Sequence, residues 1–158
     1  MFYLSIYRLS RYKLPMPIPP DPNFEQRIRR SFHQQGLMHT LGAKLTRVAA
    51  GEVHIDLPYD ASLTQQDGYI HAGVLTTLAD TASGYAAHTL MEVGARVLTV
   101  EFKMNFLAPA TGAKFSARAR VLKPGRTLTI CACDVFAIKE ENEKLVATML
   151  ATMFAVAA

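Results

Sequence analysis

The stretch from His71 to Leu90 places the strongest constraint on the fold, because its apolar residues cover most of the circumference of a helix. A surface helix is apolar along one stripe, whereas a helix that is apolar nearly all round is enclosed by other structure. The sequence therefore predicts a long helix at the centre of the domain. Small side chains on this helix would let a sheet approach closely: Ala79, Ala82, Ser83 and Gly84.

Several segments carry the alternation that is typical of strands. From Leu98 to Phe106, apolar and polar residues alternate strictly, which predicts a strand with one buried face. Residues 41–50 and 52–57 predict a hairpin around Gly51.

A second hairpin is predicted for residues 113–122 and 127–138. The turn between them reads KPGR, in which proline presets one backbone angle and glycine permits the next. Residues 144–156 are rich in Ala, Leu and Met, which favour a helix, but a neighbouring antiparallel sheet would recruit them as an edge or closing strand. We predict a strand there.

The amino end predicts one further helix. Asp21 and Pro22 match an N-cap followed by proline at the first helical position, and Gly36 is expected to end the helix. The order is then helix, two strands, one long helix and four strands. This order predicts an α+β fold in which one antiparallel sheet wraps around the long helix.

Length and composition indicate a single domain. The chain has 158 residues, half of them apolar, which is enough for one buried core. We expect that domain at residues 21–158. Residues 1–20 are interpreted as a disordered or misassigned extension, with Met16 as the true start.

Charge and hydropathy exclude several classes of partner. The net charge is +4, and the basic residues are scattered rather than clustered as in nucleic-acid-binding arms. No stretch approaches the roughly 20 apolar residues of a membrane span. Cys131 and Cys133 would share one face of a strand, where they are poor disulfide partners. Buried thiols of this kind indicate a reducing compartment, so we expect a cytoplasmic protein.

The start of the central helix carries candidate catalytic groups. Unpaired backbone amides at a helix N-terminus can stabilise a developing oxyanion, which makes Ala72 and Gly73 candidates. Asp80 lies about two turns further along. A carboxylate in an enclosed apolar helix is costly unless it faces water or a partner, so it is a candidate for chemistry. No histidine pair has the spacing of a zinc motif, and we expect neither a metal nor a cofactor.

The segment GYIHAGVLTTLADTASGYAA resembles the H-G-G-x-x-x-x-x-x-D signature of the phenylacetyl-CoA thioesterase-like (PaaI-like) branch of the hot-dog thioesterases. The similarity continues through TVEFKMNFLAPA and KPGR, and it covers roughly residues 24–156. It implies a hot-dog fold and hydrolysis of a small aryl- or medium-chain acyl-CoA.

The resemblance also implies roles for individual residues. The amide of Ala72 would bind the thioester carbonyl, Gln65 would orient water or the acyl group, and Thr99 would help to position water. Asp80 would act as general base or as nucleophile, and the sequence does not choose between them. His71 would have a positioning role at the substrate.

In the family, active sites lie between two subunits. The resemblance therefore implies a homodimer or homotetramer in which Gln65 and Ala72 of one chain meet Asp80 and Thr99 of the other. Coenzyme A is then part of the substrate rather than a cofactor. Its phosphates are expected to meet basic side chains: Arg96, Lys123 and Arg126.

Each of these residues also has a simpler interpretation. His71 could only cap the helix, Asp80 could be a structural acid, and Thr99 could be an ordinary strand residue. Hot-dog proteins include hydratases, but the histidine and acid pair that those enzymes use is absent from the sequence. The remaining alternative is a non-catalytic acyl-CoA sensor or scaffold, although a mere binder would gain nothing from the acid at position 80.

Overall fold

The computed structural model describes residues 17–157, which form one antiparallel sheet and three α-helices. The expectations for residues 1–16, including the start at Met16, fall outside the described residues. The helices are α1 (Phe24–His33), α2 (Gly36–Leu41) and α3 (Ala72–His88). The strands are β1 (Lys44–Ala49), β2 (Glu52–Pro58), β3 (Arg96–Phe106), β4 (Lys114–Lys123), β5 (Leu128–Lys139) and β6 (Asn142–Val156).

The sheet confirms the predicted α+β class. Its six strands follow the order β1-β2-β4-β5-β6-β3, and each neighbouring pair is antiparallel. The two predicted hairpins are β1–β2 and β4–β5. β6 is a strand, as predicted, but it lies inside the sheet rather than at an edge. The reason is that β3 pairs with the outer side of β6 and takes the edge itself.

The core lies between one face of the sheet and α3, which packs against β2, β3, β4, β5 and β6. In β2, Val53, Ile55 and Leu57 are completely buried, while the residues between them are partly exposed. Leu78 of α3 is also completely buried, and truncation of such a leucine costs about 2–5 kcal/mol. Ala82 has no exposed surface either, so the sheet approaches the helix backbone as predicted.

The two cysteines belong to this core. Cys131 and Cys133 have no exposed surface, and both are free thiols. Burial raises the pKa of the Cys131 thiol to about 12. A thiol that stays protonated is a poor nucleophile, so the prediction that these residues are packing groups is confirmed.

At the amino end, the predicted helix start is wrong by two residues. Helix α1 begins at Phe24, with Asn23 as its N-cap. The Asp21 carboxylate instead accepts the Asn23 N–H at 2.8 Å and pairs with Arg27 Nε at 2.7 Å. The hydrogen bond from Arg27 lowers the pKa of Asp21. Asp21 therefore fastens the turn that precedes the helix.

The predicted helix end is also wrong, because two helices occupy this segment. Helix α1 ends at His33, and Gly36 opens α2 instead of ending α1. Gln35 has an extended backbone, with ψ of 102°, which separates the two helices. Gly42, at φ 70°, ends α2 in the left-handed conformation that glycine adopts most readily.

Strand β3 departs from strict alternation at one position. Thr99 pairs with Met153, but Glu101 pairs with Thr152, so Val100 is an extra residue in a β-bulge. Beyond the bulge, Phe102 lies on the face that packs towards α3. Thr99 lies on that same face, because Met153 opposite it is a core residue. The prediction that Thr99 belongs to the opposite face from Phe102 is therefore wrong, and the bulge is the cause.

Candidate active site

The loop between β2 and α3 fixes the start of the central helix. Ile70 forms an isolated antiparallel β-bridge with Thr64 in this loop. The His71 N–H donates to Leu63 O at 2.9 Å. His71 is the N-cap of α3, and its ring Nδ1 accepts the Gly73 N–H at 2.9 Å. The imidazole is exposed, so it can meet a ligand while it caps the helix.

One backbone donor remains at this helix start. Gly73 N–H is occupied by the His71 ring. Within residues 17–157, the Ala72 N–H donates no hydrogen bond to the backbone. This amide lies at the positive end of the helix, where a partial negative charge is stabilised. Of the two predicted amides, Ala72 is the one that is available to a ligand.

Gln65 lies in the same loop, in a tight local turn. Its N–H donates to Tyr69 O at 2.8 Å, and its carbonyl accepts from Gly68. Its side-chain amide is bound to Asp67, both through the Asp67 N–H and through the Asp67 carboxylate. Gln65 is half-buried, and it does not line the cleft that contains Asp80.

The predicted pair Asp80 and Thr99 is brought together within one chain. Thr99 Oγ1 donates to Asp80 Oδ1 at 2.8 Å. The bulge at Val100 makes this contact feasible, because it turns Thr99 towards α3. Among residues 17–157, no basic side chain forms an ion pair with Asp80. One carboxylate oxygen is thus held by a hydroxyl, and the other is free to accept a proton or to attack.

Asp80 and Thr99 line a cleft of about 600 Å³ between α3, the α1–α2 region and β3. Positions 80, 84 and 88 lie one helical turn apart, so one face of α3 forms the floor of the cleft. Phe102 and Val97 contribute apolar wall from β3.

The basic residues predicted to hold coenzyme A are divided between two places. Arg96 lines the same cleft as Asp80. Lys123 and Arg126 lie at the β4–β5 turn, and Arg126 lines a second cavity of about 820 Å³ beyond the carboxyl end of α3. Asp80 does not line that second cavity. Within one chain, the turn and the carboxylate are therefore not parts of one site.

The helix start and the carboxylate are also separated within one chain. Ala72 and Asp80 are eight residues apart on a single helix, which corresponds to about 12 Å along its axis. One thioester carbonyl with one attacking water cannot contact both groups over that distance. Apart from Lys123 and Arg126, the predicted site residues form two groups, termed half-sites: the helix start with its loop, and the cleft with Asp80, Thr99 and Arg96.

The cleft contains polar residues that the sequence did not reveal. Tyr85 OH lies 3.2 Å from Ser31 Oγ and accepts a hydrogen bond from Gln35 Nε2 at 3.0 Å. His88 stacks on the Tyr85 ring, with 6.4 Å between ring centroids. All four residues line the cleft. In the sequence, only Tyr85 and His88 could be noticed, as polar side chains on an enclosed helix. The approach of α1 to these residues depends on tertiary packing, which the local sequence does not show.

Proteins of known class share this architecture. A model of the thioesterase superfamily matches residues 67–144. Human acyl-coenzyme A thioesterase 13 is 32% identical over 95 residues, which cover 58% of this chain and 67% of that protein. The crystal structure of a thioesterase family protein from Silicibacter pomeroyi is 49% identical, with a TM-score of 0.84, over 85% of this chain and 99% of that chain. The chain belongs to the thioesterase superfamily.

The fold of the chain is also similar to that of a protein with lower sequence identity. The structure of the Escherichia coli PaaI protein, from a phenylacetic acid degradation operon, has a TM-score of 0.78 at 19% identity and covers 86% of this chain and 95% of that chain. This likeness confirms the predicted hot-dog fold. The predicted class of enzyme, a thioester hydrolase, is confirmed through membership of the superfamily. Among residues 17–157, no helix is long and apolar enough to cross a membrane.

Proposed function

We propose that this enzyme hydrolyses an acyl-CoA, with a small aryl or medium-chain acyl group, to the free acid and coenzyme A. The observation that carries the proposal is the Asp80 carboxylate, half-buried in a cleft and held at one oxygen by Thr99. A carboxylate with one oriented oxygen and one free oxygen suits attack on a thioester or activation of water. The curated relative named above, an acyl-coenzyme A thioesterase, supports this substrate class.

In the general-base route, Asp80 takes a proton from water as the water oxygen attacks the thioester carbonyl carbon. The carbonyl oxygen becomes an oxyanion, which the Ala72 N–H stabilises. The C–S bond then breaks, and the thiolate of coenzyme A takes up a proton. In the nucleophilic route, Asp80 itself attacks and water later cleaves the anhydride. A single turnover in ¹⁸O-water tests the second route, since ¹⁸O enters the Asp80 carboxylate only if an anhydride forms and water attacks its Asp80 carbonyl carbon.

We also propose that each site is shared by two chains in a homodimer, with a homotetramer as the further assembly. The separation of about 12 Å between Ala72 and Asp80 within one helix supports this arrangement. The edge strand β3 supports it as well, because it exposes apolar side chains, with Val100 at 56% and Phe106 at 50%. An unpaired apolar edge is a ready surface for a second copy.

Coenzyme A carries phosphates, and the proposed dimer would supply cations for them. Arg96 lies in the cleft, and Lys123 and Arg126 lie at the exposed β4–β5 turn. His71, exposed at the helix start, would position the thioester end. The buried free thiols fit a reducing compartment, so we place the enzyme in the cytoplasm.

The decisive experiment is a thiol-release assay with purified protein and a panel of aryl- and alkyl-acyl-CoAs. Asp80→Asn should lower kcat by on the order of a hundredfold or more, because the amide accepts no proton. The matched control is Glu141→Gln, which makes the same change at the exposed β5–β6 turn and should leave turnover unchanged. Tight binding of acyl-CoA without thiol release in the wild type would instead identify a sensor or scaffold.

A further inference from the structure

Gly84 lies in the interior of α3, where neither its backbone conformation nor its packing requires a glycine. It is not among the glycines with positive φ within residues 17–157, so an alanine could adopt its conformation. Beyond the helix backbone and the adjacent residues, a Cβ added there would have one described neighbour within 4 Å, Val97 Cγ1 at 3.9 Å. That distance is an ordinary van der Waals contact. Glycine is less favourable than alanine inside a helix, so its presence here calls for another reason.

The position of Gly84 supplies that reason. Gly84 lies on the floor of the cleft, one helical turn from Asp80, which corresponds to about 6 Å along the helix axis. The neighbouring Ala82 has no exposed surface and packs under the sheet, whereas Gly84 is half-buried. The missing side chain at position 84 therefore leaves room in the cleft and is not needed for the approach of the sheet to the helix.

The part of the substrate that would pass over Gly84 follows from the surroundings of the cleft. Beyond Gly84, the cleft is lined by Tyr85 and His88, which are buried, with 3% and 8% of their surface exposed. The phosphates of coenzyme A must stay near solvent or cations, because an unpaired buried charge is costly. With the thioester at Asp80, it is therefore the acyl group that extends over Gly84, beside the apolar side chain of Val97.

We propose that Gly84 determines the size of the acyl group that the enzyme accepts. This inference rests on the proposed thioesterase function and adds a specificity-determining residue to it. A butyryl group ends before it has crossed the distance of about 6 Å from Asp80 to Gly84, whereas a hexanoyl chain or a phenylacetyl ring lies over the glycine. A side chain at position 84 would occupy the space that the larger groups need, and would disfavour them alone.

The test is a thiol-release assay with butyryl-, hexanoyl- and phenylacetyl-CoA on the wild type, Gly84→Ala and Gly84→Leu. The kcat/KM for each larger ester, divided by that for butyryl-CoA, should fall in Gly84→Ala. In Gly84→Leu, this ratio should fall by on the order of tenfold or more. Because the ratio is taken within one variant, a general loss of turnover through a displaced Asp80 carboxylate cancels.

The matched control is Gly36→Leu, which makes the same change at an exposed glycine whose Cβ would meet nothing within 4 Å. Gly36 does not line the cleft, although the residues on either side of it do. This variant should keep the wild-type ratios.

Thermal unfolding separates a role in specificity from a structural one. Gly84→Ala should raise Tm by about 1–4 °C, because alanine is the better helix former and its Cβ meets no close contact. A lower Tm would show that the packing of α3 requires the glycine. Unchanged ratios in both Gly84 variants would show that the acyl group does not pass this position. Either result would overturn the inference.

The failure of the thioesterase proposal gives a different result, namely no thiol release from any ester in the wild type. In that case, Kd values for hexanoyl-CoA and butyryl-CoA test the position independently of turnover. Gly84→Leu should then weaken the binding of hexanoyl-CoA by on the order of tenfold more than that of butyryl-CoA, and equal effects on the two esters would contradict the role of Gly84.

Discussion

At the scale of single residues, the backbone N–H of Ala72 can be tested without altering any contact of a side chain. Proline lacks this N–H and is tolerated at the first position of a helix, which Ala72 occupies. His71 already has the extended backbone that a residue before proline requires, with φ −60° and ψ 137°. Ala72→Pro should therefore change the free energy of unfolding by no more than about 1 kcal/mol. It should lower kcat by on the order of a hundredfold, because the oxyanion loses its donor.

Thermal unfolding and thiol release on the same preparation check both parts of this prediction. Ala72→Gly is the control, because it keeps the N–H and should keep most of the activity. Wild-type turnover in Ala72→Pro would remove this amide from the mechanism.

The candidate residues illustrate which parts of a site a sequence can predict. Asp80 could be predicted as a candidate because a carboxylate is unusual in an enclosed helix. Its spacing from His71 can also be recognised, because both residues belong to one continuous segment. The resemblance implied that Asp80 and Thr99 come from the same chain, and the hydrogen bond between them forms within one chain. The hydrogen bonds of Tyr85 to Ser31 and Gln35 join residues that are 54 and 50 positions apart, where no local pattern exists.

At the scale of secondary-structure elements, the turn between β4 and β5 was predicted correctly, but for an incomplete reason. Gly125 is not among the glycines with positive φ within residues 17–157. Its importance is a close approach, since a Cβ at this position would lie 2.2 Å from Leu128 O. Gly125→Ala should therefore destabilise the protein by about 1–3 kcal/mol, because a backbone atom must move to relieve the clash.

Urea unfolding measures this effect as a lower midpoint at unchanged slope. Gly36→Ala is the matched control, because a Cβ there meets nothing within 4 Å at the start of α2. It should change the free energy of unfolding by less than about 0.5 kcal/mol. Equal effects of the two substitutions would contradict the assignment of the Gly125 contact.

The strands and the central helix could be predicted from the periodicity of apolar residues. The bulge in β3 and the break between α1 and α2 could not. The alternation in β3 is uninterrupted in the sequence, and only the pairing with β6 reveals that Val100 is an extra residue. A bulge is a property of two strands together, so the alternation of one strand cannot show it. The role of Gly36 could not be predicted from the local sequence either, because a glycine is compatible both with the end of one helix and with the start of the next.

At the scale of the whole molecule, the proposed dimer is the feature that makes one complete site from two half-sites. The helix start with Ala72 would come from one chain, and Asp80 with Thr99 from its partner. A variant that lacks Ala72 N–H and a variant that lacks the Asp80 carboxylate are each defective at both sites of their own homodimers. A mixed dimer of the two has one site with both defects and one site with none.

Asp80→Asn and Ala72→Pro, co-expressed with different affinity tags and purified by both tags, should therefore regain about half of the wild-type rate per dimer. Each variant carrying both tags, expressed alone, gives the baseline. If both groups acted within a single chain, every chain of the mixed dimer would be defective and the rate would stay at that baseline. Restored activity requires that the two groups meet across the subunit boundary, because no chain in the mixture contains both of them.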